Sequence, residues 1–369
     1  MTKTSFPQIR ATAIHLLLWW FTVAVATGQT PKYSNEFLSI GVGARALGMS
    51  NAFVSVANDA TAGYWNPAGM VHIDANIQVS LMHTEYFAGI ASYDYGSIAF
   101  NLDENSALGV SYLRFGVDDI PDTSELIDSD GNINYDRIRS FSASDNAFLL
   151  SYARKLNSNL SLGVNTKVIR RTAGSFAGAW GFGLDAGIQY TLGDWRFGAM
   201  GRDITSTFNA WTYDLDDRMR EVFTLTGNEI PENSMEITLP RIILGASRSF
   251  RFAQRFGVLA SADLNITSDG RRNVLLGGDP FSIDPSLGIE LDYNHIIFFR
   301  GGIGGYQKYS LPSEKETQSL QMNLGVGVVI RNVLALDYAL TDVGDNSIAL
   351  YSNIFSLRFN INRSERSAN

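Results

Sequence analysis

The side chains most often used for catalysis are sparse in this chain and badly placed for it. There are four histidines, His15, His72, His83 and His295, and no cysteine. None of these histidines has the spacing of a metal-ligand pair or of a catalytic triad. The lack of cysteine excludes a disulfide scaffold, a thiol nucleophile and a thiolate metal site. The nearest approach to a metal motif is Asp128-Ser129-Asp130-Gly131-Asn132-Ile133-Asn134-Tyr135-Asp136, which spaces oxygen side chains like a calcium loop. Ile133 stands where such a loop needs glycine and Arg139 where it needs glutamate, so residues 128–136 read as a solvated acidic loop. The expectation is no enzyme, no metal and no cofactor. The formal net charge of −8 also argues against a nucleic-acid partner, whose phosphates need clustered Lys and Arg.

Other charges have a regular setting. In residues 160–168, Leu, Leu, Val, Thr and Val alternate with Ser161, Gly163, Asn165 and Lys167. Phe182, Leu184, Ala186, Ile188, Tyr190 and Leu192 alternate with Gly183, Asp185, Gly187, Gln189 and Thr191. Leu287, Ile289 and Leu291 oppose Gly288, Glu290 and Asp292, and Phe355, Leu357, Phe359 and Ile361 oppose Ser356, Arg358 and Asn360. Period two is the mark of strands with one apolar and one polar face. Lys167 and Asp185, and Asp337 and Arg358, lie on neighbouring strands of a polar interior wall. They read as lumen charges paired wall to wall or wall to plug, since burial demands compensation; a polar path for a solute is the alternative.

About fourteen such strands can be placed between residues 76 and 361, an even number as in bacterial single-chain barrels. Connections after even-numbered strands are short, whereas residues 117–144, 171–178, 203–239, 268–284, 304–319 and 341–351 form longer ones. Long loops on one rim and tight turns on the other fit an outer-membrane barrel. The expected fold is all-β: a 14-stranded antiparallel transmembrane β-barrel with a small N-terminal helical hatch or plug. Its outer surface would face outer-membrane lipid. The connection 203–239 carries Phe208, Trp211, Tyr213 and Phe223, which makes it the candidate partner-binding loop.

The N-terminus has the parts of an export signal: Lys3 and Arg10, an apolar run from Ala11 to Ala26, and small residues before a cut at Gln29. Residues 1–28 read as a cleaved signal peptide, 29–75 as the hatch, 76–361 as the barrel and 362–369 as a short periplasmic tail. Within the hatch, Asp59 is placed to cap one helical turn, and Asn66 to cap a second that begins with Pro67. Arg45, the hatch's only Lys or Arg after Lys32, has Glu290 or Asp292 as candidate acidic partners on the wall.

Several blocks carry a resemblance. Asn35-Glu36-Phe37-Leu38, Gly43 to Met49, Asn58-Asp59-Ala60 and Trp65-Asn66-Pro67-Ala68-Gly69 resemble the start of the PorV/PorQ family, within the FadL-like outer-membrane barrels of Bacteroidota and relatives. Asn66, Pro67 and Ala68 match the turn of the FadL-like hatch, and Arg45 and Asp59 lie in the matching blocks. Asp203 to Trp211 is similar to a PorV-type loop motif, and Leu336 to Ala339 with Phe355 to Phe359 is similar to the closing strands. The resemblance implies a fourteen-stranded barrel with a plug and a role in type IX secretion. The implied partners are the giant translocon barrel and cargo bearing a C-terminal sorting domain. FadL-like transport of long-chain fatty acids or other hydrophobic molecules is the alternative it leaves open.

Overall fold

The structure, a computed structural model, describes residues 34–126, 132–309, 317–343 and 352–362. The signal-like leader, Asp128 to Gly131 of the calcium-like loop and most of the C-terminal tail lie outside the described residues. The wall begins with β1 (Ile77–Tyr86), β2 (Ala91–Asn101), β3 (Ser106–Asp122), β4 (Arg139–Lys155), β5 (Leu160–Ala173) and β6 (Ala177–Leu192). Two strands are interrupted: β7 runs as Trp195–Arg202 and Thr207–Tyr213, β8 as Ser234–Thr238 and Arg241–Phe252. The rest are β9 (Phe256–Thr267), β10 (Ser282–Tyr293), β11 (Ile297–Tyr309), β12 (Thr317–Ile330), β13 (Leu334–Thr341) and β14 (Ser352–Ile361). A two-residue ribbon, Leu276–Gly277, lies against the start of β10. Each wall strand pairs antiparallel with its neighbours, and β1 closes on β14 with Ile77 opposite Ile361. The result is a closed antiparallel barrel of fourteen strands.

The expected loop 203–239 needs correction. Thr207–Tyr213 pairs with Ala177–Phe182, and Trp195–Arg202 with the remainder of β6, so both pieces belong to one wall strand. Asp203 and Ser206, with φ of 55° and 57°, swing the extra residues out and back. Ser234–Thr238 then descends beside Thr207–Trp211 before continuing as Arg241–Phe252. Only residues 214–233, with the helix Asp217–Leu225, project as a loop. Several strands also run further outward than their alternation suggests, β3 to Asp122 and β4 from Arg139. On the other rim, hairpins turn through successive left-handed residues, such as Ala253 with Gln254 and Arg331 with Asn332.

Burial is inverted relative to a soluble protein. Leu150, Val164, Phe182, Leu184, Ile289, Phe299, Leu324 and Phe355 face outward and are exposed, while Gln78, Asn165, Lys167, Asp185, Asp263, Glu290 and Arg300 are buried. An apolar exterior around a polar interior is what a hydrocarbon solvent selects, since the closed ladder pairs the backbone groups within the wall.

Residues 34–75 fill the interior. They hold two one-turn α-helices, Ala44–Leu47 and Ala62–Trp65, and 3₁₀ turns at Glu36–Leu38 and Pro67–His72. Val42, Met49, Phe53, Val56, Trp65 and Met70 are all buried, forming the protein's apolar core together with inward alanines of the wall.

Candidate functional site

Polar groups need a partner wherever water cannot reach them. In this barrel two surfaces raise that demand: the lumen wall, which the hatch covers, and a patch of the outer face.

The hatch is held first by the turn at Asn66. Its side chain accepts from the backbone of Ala68 (3.2 Å) and donates to the carbonyls of Val54 and Ile188 (3.0 Å each). One amide thus caps the turn, ties it to the preceding loop and anchors it to β6, with Pro67 at the first position of the 3₁₀ turn. Ala68 is fully buried against the wall. Asp59 does not cap the following helix as its position suggests. Its carboxylate accepts from the backbone and hydroxyl of Thr61, two residues on, and Thr61 precedes the helix without a side-chain cap.

Charges then link hatch to wall in one alternating chain. Arg358 of β14 lies 2.9 Å from Asp59, and Asp59 lies 3.7 Å from Arg45. Arg45 donates two hydrogen bonds to Glu290 of β10, at 2.8 and 2.9 Å. Glu290 accepts from Arg300 of β11 (2.7 Å), which reaches Asp337 of β13 (2.6 Å). Three cations alternate with three anions, so a buried network carries no net charge. Glu290 takes the place offered to it in the sequence, whereas Asp292 lies toward the turn with His295 and is not the partner. The pairing of Asp337 with Arg358 also needs correction. Asp337 is opposite Ser356 and Arg358 opposite Ala335, so the two charges are offset along the wall and each finds another partner.

A second cluster lies beside the interruption of β7. Lys167 is 2.7 Å from Asp185 and 2.5 Å from Asp203, and Asp185 also accepts from the backbone of Asp203 (2.8 Å). Arg202, next in chain, donates to the carbonyls of Leu38 and Tyr64 and lies 4.4 Å over the Tyr64 ring. Arg202 and Arg300 were missed in the sequence, and Asp203 was read only as the start of a loop motif. Arg300 was legible, because it alternates with Phe299 and Gly301 on an inward position; Asp203 was not, because it sits in the interruption.

Of the aromatic candidates, Trp211 and Tyr213 stack on each other at 6.2 Å on the inner side of the outward rim. Trp211 donates to Glu236 (2.8 Å), which also accepts from Ser34 of the hatch and pairs with Arg171. Phe208, three residues away, is on the opposite face and exposed to lipid. The three residues are therefore wall positions, and they do not form one loop surface. Above the hatch is a cavity of about 620 Å³. Its lining includes Trp65 and Tyr86 but also Arg202, Arg241, Arg272, Asp263 and Asp284. β11 is laddered on both sides from Ile297 to Ile303, with Gly302 abutting Met49 of the hatch. Beyond Ile303 the ladder with β10 has ended among the described residues, and the pairing with β12 is irregular between Gly304 and Gln307.

The outer patch lies on β1 to β3. Outward residues of β1 read Ile77, Val79 and Leu81, then His83 and Glu85. His83 is directly opposite Asp94 of β2, at 2.7 Å. Arg114 of β3 donates to Ser92 (3.1 Å) and to Asp118 (3.2 Å), and Tyr112 to Asn146 of β4 (2.8 Å). A tilted strand gains about 2.5 Å of height per residue, so His83 sits about 15 Å above Ile77, inside a hydrocarbon band about 25 Å tall. The outward faces of β6 and β10 instead present Leu184, Phe182, Ile289 and Leu287.

Comparison with known proteins gives a family and a fold. The family model described as Type IX secretion system protein PorV matches residues 26–209. No curated protein matches the chain. Among solved structures, the CymD monoaromatic hydrocarbon channel superposes with a TM-score of 0.56 at 14% identity, covering 88% of this chain and 98% of its own. A Pseudomonas aeruginosa FadL homologue gives 0.52 at 15% identity, covering 86% and 97%. The P. putida toluene transporter TodX gives 0.54 at 13%, covering 88% and 99%. At such identities the likeness is one of fold: a FadL-like barrel.

Proposed function

Because the chain belongs to the PorV family of type IX secretion system outer-membrane barrels, we propose that it is a non-enzymatic docking partner. It would bind the translocon barrel side by side in the membrane and receive cargo bearing the C-terminal sorting domain at its outer rim. The observation that carries this reading is the outward patch of His83, Asp94 and Arg114 at membrane height, with Asp118 above it as the partner of Arg114. Charged pairs facing hydrocarbon are costly, and a polar protein surface covers them at less cost than acyl chains do. The same face of an uptake channel would need only lipid. Uptake of a hydrophobic solute also fits poorly with a lumen cavity lined by Arg202, Arg241, Arg272, Asp263 and Asp284. Export by cleavage of residues 1–28 belongs to this proposal, as does sealing of the lumen by the hatch.

The experiment is affinity purification of the tagged protein from its native outer membrane in mild detergent, followed by mass spectrometry. Recovery of a very large barrel or of sorting-domain cargo is expected. A protein that comes alone, carrying hydrophobic solute, would overturn the docking role in favour of transport.

A further inference from the structure

On the apolar exterior Arg248 has no counter-charge among the described residues. The outward row of β8 reads Ile242, Leu244, Ala246, Arg248, Phe250 and Phe252, so Arg248 faces lipid. Its guanidinium lies 5.3 Å over the Trp195 ring and 4.5 Å over the Phe250 ring. Its Nε is buried and has no hydrogen-bond partner among the described residues. Two other outward arginines differ in this respect, since Arg114 pairs with Asp118 and Arg170 donates to the carbonyl of Ala179. A guanidinium held between rings, oriented but unneutralised, is a donor set waiting for an anion.

We propose that Arg248 binds the phosphate of a phospholipid in the periplasmic leaflet. Arg248 is four residues from Phe252, where β8 ends, and therefore about 10 Å above the periplasmic rim. A side chain of that length reaches the headgroup level while its stem stays among apolar groups. Trp195 is its neighbour on β7 and Phe250 lies nearer the rim, so the rings steer the guanidinium. On the other side Arg248 is opposite Ala260, and one step higher Ala246 is opposite Ala262. Three alanines leave a shallow trough in the wall where the first acyl carbons fit. Planar N–H donors match phosphate oxygens two at a time, and the exposed Arg255 in the adjoining turn adds attraction for an anionic headgroup.

Native mass spectrometry of the delipidated, refolded full barrel tests the site. The probes are phosphatidylglycerol, a diacylglycerol with the same chains, and glycerol phosphate. Wild type should retain phosphatidylglycerol about fivefold more strongly than diacylglycerol, and Arg248→Gln should abolish that preference. Arg248→Lys should keep part of it, and heat-modifiable gel mobility shows that each variant is folded. Equal retention by wild type and Arg248→Gln would overturn the site. Glycerol phosphate bound as tightly as the lipid would overturn the lipid assignment and leave a free-anion site.

Discussion

At the scale of single residues, Arg45 carries the greatest consequence. Its two bonds to Glu290 hold the hatch to β10, and Glu290 is also the bridge to Arg300. Arg45→Ala leaves a buried carboxylate with one cation where it had two. Breaking a buried pair this way costs about 3–5 kcal/mol, so the hatch should loosen while the wall survives. Single-channel conductance should rise and protease should reach residues 34–75; unchanged values for both would refute the tether. His72, at the periplasmic end of the hatch, offers a pH test. Burial, then Arg196 and Lys155, depress its imidazole from 6.5 to about 4, with Asp74 opposing. A base that protonates less readily when docked gives a contribution that is complete above pH 6.5. It is lost as pH falls through the window from 6.5 toward 4. Protease access to the hatch should thus increase on acidification, and His72→Gln should flatten that profile.

At the scale of elements, the hatch fits because inward glycines of the wall leave room for its backbone. A Cβ on Gly163 of β5 would meet the Ala68 nitrogen at 2.2 Å and the Pro67 carbonyl carbon at 2.4 Å. One on Gly187 of β6 would meet the Asn66 side chain at 2.1 Å. Backbone cannot yield as a side-chain tip can, so Gly163→Ala should expel the Asn66-Pro67-Ala68 turn. Gly96→Ala should be tolerated, since its Cβ would meet only Leu81 at 3.6 Å. Limited proteolysis of both variants in detergent separates the two outcomes; equal resistance would mean that the turn does not pack as tightly as this. The alternation of residues 160–168 and 182–192 already marked these glycines as inward. What it left out was that their smallness serves another segment distant in sequence, Asn66 to Ala68 of the hatch.

At the scale of the molecule, the exterior is asymmetric. Most of the wall is apolar from rim to rim, while β1 to β3 turn polar halfway up. The triple variant His83→Leu, Asp94→Leu, Arg114→Leu should fold normally, because it replaces outward polar groups by residues that suit lipid. It should nonetheless lose co-purification with its large partner barrel. Normal barrel mobility together with normal partner recovery would show that the patch is not the docking face. The same scale explains the failure of the loop 203–239 as an aromatic platform. Once Thr207–Tyr213 joins the wall, Phe208 and Trp211 are forced onto opposite faces by the period of two.

Alternation of side chains along the chain determined which face of each strand meets lipid, because a strand's period is independent of its neighbours. Together with turn lengths it determined the wall's fourteen strands and left the segment before Ile77 no place in lipid. Charge partners were decided only by the tertiary structure, because pairing depends on the register between strands distant in sequence. That register sets Asp337 opposite Ser356 and passes Arg358 to Asp59 of the hatch. The interruption at residues 203–206 belongs to the same category. Left-handed turns at Asp203 and Ser206 absorb extra residues that periodicity reads as the end of a strand.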